Sequence, residues 1–390
     1  RPARLSGWLG ALAESHRVLL LDQRGTGRST PATVATLTAP GAFATDEARA
    51  EHLVHLRAPS IVRDAEMLRL ALGAGPWTTL GQSFGGFCTL SYLSFHPEGL
   101  QRSLVTGGLA PLTGHADRVY RATYARMRAR TEEFFDRHPA DRDAWSEAVG
   151  LIRAAEDAGA PIPLPGGGPL TVGRAQGLGM LLGGNTRVDR LHWVLAEAVD
   201  RTGPAPRLSE TFLAAVADQD DRLVNPLYTV LHEAIYAQPA DLAGGRADTG
   251  WSASRMLAEH PDFDPEATTV PLPTGEHVMP WSVEVDPRLR PLAGTARLLA
   301  ERTQWGPLYD VAALAQNTVP VAAAVYADDV YVDRDLSLET ARRVRGLQVW
   351  ETDAFHHDGI ADDGPAILDR LLAMTAADGA GTTTAPDPVD

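Results

Sequence analysis

The six residues Gly81-Gln82-Ser83-Phe84-Gly85-Gly86 constrain this chain more than any other segment. A short β-forming run, Trp77-Thr78-Thr79-Leu80, leads into them, and an apolar run, Phe87 to Phe95, leads out. Strand, sharp turn, helix is the setting in which a G-x-S-x-G turn presents its serine as a nucleophile. Such a turn holds the serine in a strained conformation, so residues packed against it must be small. Gly81 and Gly85 are expected to meet that need, because a Cβ at either would collide with the neighbouring strand or helix. The turn also exposes the Ser83 hydroxyl at the top of a sheet. It points the Phe84 N–H and the positive end of the following helix at any oxyanion formed there.

The surroundings of the turn alternate strand and helix. Leu5 to Ser15 has helical periodicity, and Arg17 to Asp22 is an unbroken apolar run of the kind buried parallel strands show. A glycine-rich loop, Gln23 to Ser29, is followed by a helix at Val62–Leu72 and, after the turn, by a strand at Ser103–Gly108. The alternation predicts an α/β fold with a mostly parallel, doubly wound sheet. From about residue 111 the pattern becomes helical and rich in aromatics and arginines, interrupted by the loop Pro161–Gly168. The sheet pattern resumes at Val319–Tyr326 and, weakly, at Gly346–Trp350. A final helix is expected from Pro365 to Thr375. The predicted organisation is a core at 1–110, a helical cap at 111–305, a second core part at 306–375 and a disordered tail at 376–390.

At 390 residues the chain has room for one large α/β domain with such an insertion. Its net charge of −15 argues against nucleic acid or an anionic membrane as partner. No stretch approaches the ~20 apolar residues that cross a bilayer. Cys88 is the one cysteine, so no internal disulfide is possible, and its place in the apolar helix after Ser83 reads as packing.

A serine nucleophile needs a base and an acid to orient it, and in this kind of sheet the chain order is serine, acid, histidine. The strand at 319–326 runs into Ala327-Asp328-Asp329-Val330-Tyr331-Val332-Asp333, and the weaker strand into Phe355-His356-His357-Asp358-Gly359. Both clusters fall at the carboxyl ends of their strands, where open α/β sheets meet ligands. Asp329 leads Asp328 and Asp333 as the acid; His357 leads His356 as the base. The remaining histidines sit in segments with no paired acid and read as surface or core residues.

Three segments then resemble one family. Asp22-Gln23-Arg24-Gly25-Thr26-Gly27-Arg28-Ser29, the Gly81–Gly86 turn and His96-Pro97-Glu98 together resemble the prolyl aminopeptidases, or proline iminopeptidases, serine peptidases of the α/β-hydrolase fold. The resemblance is strong over about the first 110 residues, holds in layout over the last 75, and is scattered in the cap. It implies release of N-terminal proline from peptides with a free N-terminus, no metal or other cofactor, and a cytoplasmic enzyme. It also implies an H-G-G-P-G oxyanion loop, which this sequence lacks; the expectation is that N-terminal strands and that loop precede residue 1. Family members bind the substrate ammonium with cap glutamates. Glu233, in Leu231-His232-Glu233-Ala234-Ile235-Tyr236, best resembles one, and Glu276 is second. Gln23 and Arg24 are expected to brace loops, and Trp251, Trp281 and Trp305 to pack the cap. The competing readings are another capped hydrolase (an esterase or an oligopeptide-releasing peptidase) and a non-catalytic binding protein or inactive fragment on the same scaffold.

Overall fold

A computed structural model describes residues 6–223 and 225–377. Four strands, β1 (Trp77–Gln82), β2 (Leu100–Thr106), β5 (Val321–Tyr326) and β6 (Leu347–Thr352), form one all-parallel sheet in the order β1-β2-β5-β6. Two-residue strands β3 (Val199–Asp200) and β4 (Arg207–Leu208) form a separate antiparallel pair.

Residue alternation along the strands decides which layer covers which face. Leu104, Ala322, Ala324 and Tyr326 point to one side, where they pack with Ile367, Leu368 and Leu371 of the C-terminal helix (Gly359–Ala377) and with Trp8 and Leu12 of the first helix (Gly7–Ser15). Val105, Val321, Ala323 and Val325 point to the other, onto Phe87, Leu90 and Leu93 of the helix Phe84–Phe95. The small alanines of β5 let both layers approach closely, which is why every residue of that strand is buried.

Between β2 and β5 the regular structure is helical apart from the β3–β4 pair and a single Pro163–Pro169 bridge, with irregular loops between the helices. The long helices Ala116–Arg137 and Pro139–Asp157 share the hydrophobic core with the sheet, so no solvent layer separates the block from it. A second cluster joins Leu37, Leu53 and Leu56 to Leu231, Leu289, Leu299 and Trp305. The segment 32–56, with helices Val34–Leu37 and Asp46–Val54 that the sequence reading does not anticipate, therefore packs with residues between β2 and β5.

Two expectations need correction. The apolar run Arg17–Asp22 is not a strand: Leu19, Leu20 and Leu21 are 53%, 70% and 45% exposed, and β1 is the sheet edge among the described residues. An apolar run becomes a strand only where a neighbour takes its backbone hydrogen bonds, and none of the described residues does so. The final helix starts at Gly359 rather than Pro365, with a non-helical residue, Asp363, just ahead of the proline. The tail expected from residue 376 falls, from residue 378 on, outside the described residues.

Candidate active site

Ser83 joins β1 to the helix Phe84–Phe95 at φ 54°, ψ −122°, a region that non-glycine residues rarely enter. Its N–H donates to the Thr106 carbonyl at 3.0 Å and its own carbonyl accepts from Gly86 N–H at 2.8 Å, which pins the strained residue from both sides. The packing need falls on Gly81 and Gly86 rather than on Gly81 and Gly85. A Cβ on Gly81 would run into the Gly85 carbonyl and one on Gly86 into the Gly108 carbonyl, whereas Gly85 faces open space. Gly86→Ala is accordingly expected to cost about 1–3 kcal/mol, seen as a lower Tm. Gly85→Ala, at an open helical position, is expected to be neutral or to gain up to about 1 kcal/mol.

The base and acid meet at the carboxyl ends of β5 and β6. His357 Nδ1–H donates to Asp329 Oδ2 at 2.8 Å, with both side chains buried. The other oxygen, Asp329 Oδ1, accepts from the backbone N–H groups of Tyr331 at 2.8 Å and Val332 at 3.0 Å, so the loop's own backbone aims the carboxylate. Asp328 is exposed, and Asp333 instead caps the helix Arg334–Arg343 and pairs with Arg126 at 2.8 Å. His356 Nδ1 lies 3.4 Å from the Asp328 carbonyl oxygen and pairs with no carboxylate among the described residues. Burial pulls the His357 pKa down, but the Asp329 charge and hydrogen bond outweigh it and hold the imidazole above its usual 6.5.

Ser83 reaches this pair through the backbone. Gln82, one residue before it, donates from Nε2 to the His357 carbonyl at 2.9 Å and accepts from Thr106 Oγ1 on β2. Gly107, at φ 51°, lies under the pair: a Cβ there would stand 3.3 Å from both Asp329 Oδ2 and His357 Nδ1. Among the described residues the Ser83 hydroxyl makes no hydrogen bond to His357, whose ring instead bonds Asp329. Phe84 opens its helix, so its N–H is one of the donors that no intrahelical carbonyl can satisfy. Sequence reasoning missed Gln82 and Tyr331, whose ring meets His357 edge-on at 4.9 Å and whose hydroxyl donates to the Met180 carbonyl at 2.6 Å. The alternation of β1 could have flagged Gln82, the polar residue beside the serine. Nothing in the sequence marks Tyr331.

The chain between β2 and β5 supplies two carboxylates. Glu233 is 7% exposed; Oε1 accepts from Ala253 N–H at 2.9 Å, while Oε2 is buried with no partner at hydrogen-bond distance among the described residues. Burial pushes its pKa up to about 7, against the backbone hydrogen bonds from Ala253 and Ser252. Arg57, itself buried, stacks at 4.6 Å on Trp305 and donates to the carbonyls of Ala234 and Ala237, fixing the turn that carries Glu233. Glu276 is half-buried, accepts from the Tyr228 hydroxyl at 3.2 Å and lines a cleft with Met180, His277 and Trp281. That cleft includes neither Ser83 nor His357, but the Glu276 charge is close enough to help raise the His357 pKa. An aromatic wall of Phe84, Phe87, Tyr236, Tyr120 and His277, with ring centroids 5.6–6.4 Å apart in sequence, links the serine turn to this region.

The flanking expectations divide. Arg24 braces loops as expected, with a two-pronged pair to Asp64 at 2.5 and 2.6 Å and a bond to the His55 carbonyl at 2.9 Å. Trp305 is core and Trp281 faces the cleft, while Trp251 holds a left-handed turn at φ 58°. Desolvation pushes the Cys88 thiol up to about 12, which leaves it inert as a nucleophile. The reading of the other histidines fails at three positions. His192 pairs with Asp141 at 2.8 Å, His115 with Asp117 at 3.1 Å and His96 approaches Glu98 at 3.8 Å. The first partner lies 51 residues away, out of reach of a linear reading.

The alpha/beta hydrolase fold family matches residues 5–231. A proline iminopeptidase of Aeromonas sobria is 40% identical over 375 residues, spanning 96% of this chain and 84% of that protein. A second, from Aspergillus aculeatus, is 31% identical over 378 residues, spanning 94% of this chain and 80% of that protein.

Proposed function

The chain belongs to the proline iminopeptidases of the α/β-hydrolase fold, and on that footing we propose that it releases proline from the free N-terminus of peptides, with Ser83 as nucleophile, His357 as base and Asp329 as orienting acid. The observation that carries this reading is the buried 2.8 Å His357–Asp329 bond beside a serine held at φ 54°. With Nδ1–H committed to Asp329, the His357 Nε2 lone pair is free to take the Ser83 proton. Ser83 Oγ then attacks the scissile carbonyl, and the oxyanion draws on the Phe84 N–H. His357 returns the proton to the leaving amine, and water hydrolyses the prolyl-enzyme by the same steps.

In this reading residues 111–305 act as the cap that fixes where the substrate's amine lies, over a core of 1–110 and 306–375. Glu233 and Glu276 hold the prolyl ammonium, which would satisfy the unpartnered Glu233 Oε2 and fix the cut one residue from the terminus. No described helix is long and apolar enough to cross a membrane. We place the activity in the cytoplasm, on free peptides.

Chromogenic amides of proline, alanine and N-acetylproline, with an acyl ester, test the reading. The prolyl amide should be the best substrate, and acetylation should abolish turnover. Equal rates for the blocked amide, or preference for the ester, would favour a different capped hydrolase.

Two further outcomes follow from the electrostatics. His357 must be neutral to act and its pKa is raised above 6.5, while Glu233 must be ionised to bind ammonium and is raised to about 7. Both therefore lose function as pH falls, and kcat/KM should drop on the acid side with a slope steeper than one proton. Glu233→Gln should raise KM for the prolyl amide about tenfold or more, the scale of one lost charged hydrogen bond. It should also reduce the acid limb to a single ionisation. An unchanged KM and an unchanged profile would remove Glu233 from the amine site.

A further inference from the structure

The helices Ala116–Arg137 and Pro139–Asp157 meet at His138, which ends the first and begins the second. Asp141, in the first turn of the second helix, is 2% exposed, and its Oδ2 accepts from His192 Nδ1 on a third helix, Arg187–Ala196. The His138 and His192 rings lie face to face, with centroids 4.2 Å apart and planes at 22°. One donor atom from each of the three residues lies within 4.8 Å of the other two. Among the described residues the His138 imidazole makes no hydrogen bond, and His192 makes none beyond that to Asp141.

Two imidazoles and one carboxylate are the donor set that zinc and its borderline neighbours take, usually with a fourth position left to water. We propose that His138, Asp141 and His192 bind one divalent ion of the zinc class in the cap. Bond lengths of about 2.0–2.2 Å place tetrahedral ligands about 3.3 Å apart, so the widest pair closes by no more than about 1.5 Å. Rotation of the half-exposed imidazoles supplies that movement, and the ion takes the place of the proton shared by His192 and Asp141. Buried Asp141 fixes the inner side of the site. Trp193, beside His192 and 64% exposed, marks its open side.

The ion would tie together three helices at this corner, where the His192–Asp141 bond joins the third helix to the second. The third of them begins at Arg187, which pairs with Asp358, the neighbour of His357. The site is built from groups the peptidase chemistry does not use, so its role is to stiffen the cap.

Calorimetric titration of the full chain, stripped with EDTA and then given zinc sulfate, tests the proposal. One equivalent should bind, and His138→Ala and His192→Ala should each weaken it at least about tenfold. The wild-type Tm should rise with zinc, while the Tm of His138→Ala should not. Because the His138 imidazole makes ring contacts but no hydrogen bond among the described residues, its alanine variant should remain folded in zinc-free buffer, with a Tm that zinc does not move, which separates lost binding from lost folding. Cobalt should bind with the visible absorption of a four-coordinate site. Absence of a zinc equivalent in the wild type, or the same affinity in His138→Ala, would overturn the assignment.

Discussion

Ser83→Ala should lower kcat for a prolyl amide by about 10⁴- to 10⁶-fold while leaving KM within a few-fold, because removal of a triad nucleophile leaves binding and the oxyanion donors in place. The same position offers a second readout. Ser83 sits at φ 54°, where a side chain costs roughly 1–3 kcal/mol and glycine costs little. Ser83→Gly should therefore be as inactive as the alanine variant yet melt at a higher temperature. The strain is held by the Ser83 N–H bond to Thr106 and the Gly86 N–H bond to Ser83, which do not depend on the hydroxyl. A glycine variant no more stable than the wild type would mean that the turn is unstrained.

The second large effect belongs to Asp329→Asn, expected to lower kcat by about 10⁴-fold with the fold intact. Asparagine keeps an oxygen for the N–H groups of Tyr331 and Val332 but turns an NH₂ toward His357. The imidazole must then accept at Nδ1, which places its proton on Nε2 and leaves no lone pair for Ser83. Loss of the carboxylate charge also removes what holds the His357 pKa above 6.5. The acid limb of the residual activity should accordingly move to lower pH. Asp328→Asn, at an exposed residue, serves as the control and should behave as wild type.

What was legible in the sequence was local. The serine turn, the parallel alternation and the order of the acid and base clusters each depend on a few neighbouring residues, and the sheet register brings Gln82, Thr106 and Ala324 level so that the strand ends converge. Choices that hang on contact across the fold were less legible. Gly85 and Gly86 look alike in sequence, but only Gly86 lies against Gly108. The run Arg17–Asp22 has a strand's composition, but no described strand pairs with it. Asp141 and His192 meet only because the helices Pro139–Asp157 and Arg187–Ala196 pack together. Glu233 was picked out by resemblance, but its unpartnered oxygen and the Arg57 clamp behind it appear only once the segment folds.

The most direct test of the central claim is covalent labelling with a fluorophosphonate, followed by peptide mapping and by assay of prolyl-amide turnover. A single adduct on the peptide carrying Ser83 is expected, with turnover lost in proportion to labelling and no adduct formed in Ser83→Ala. An adduct at another residue, or full prolyl-amide turnover after Ser83 is modified, would contradict the account.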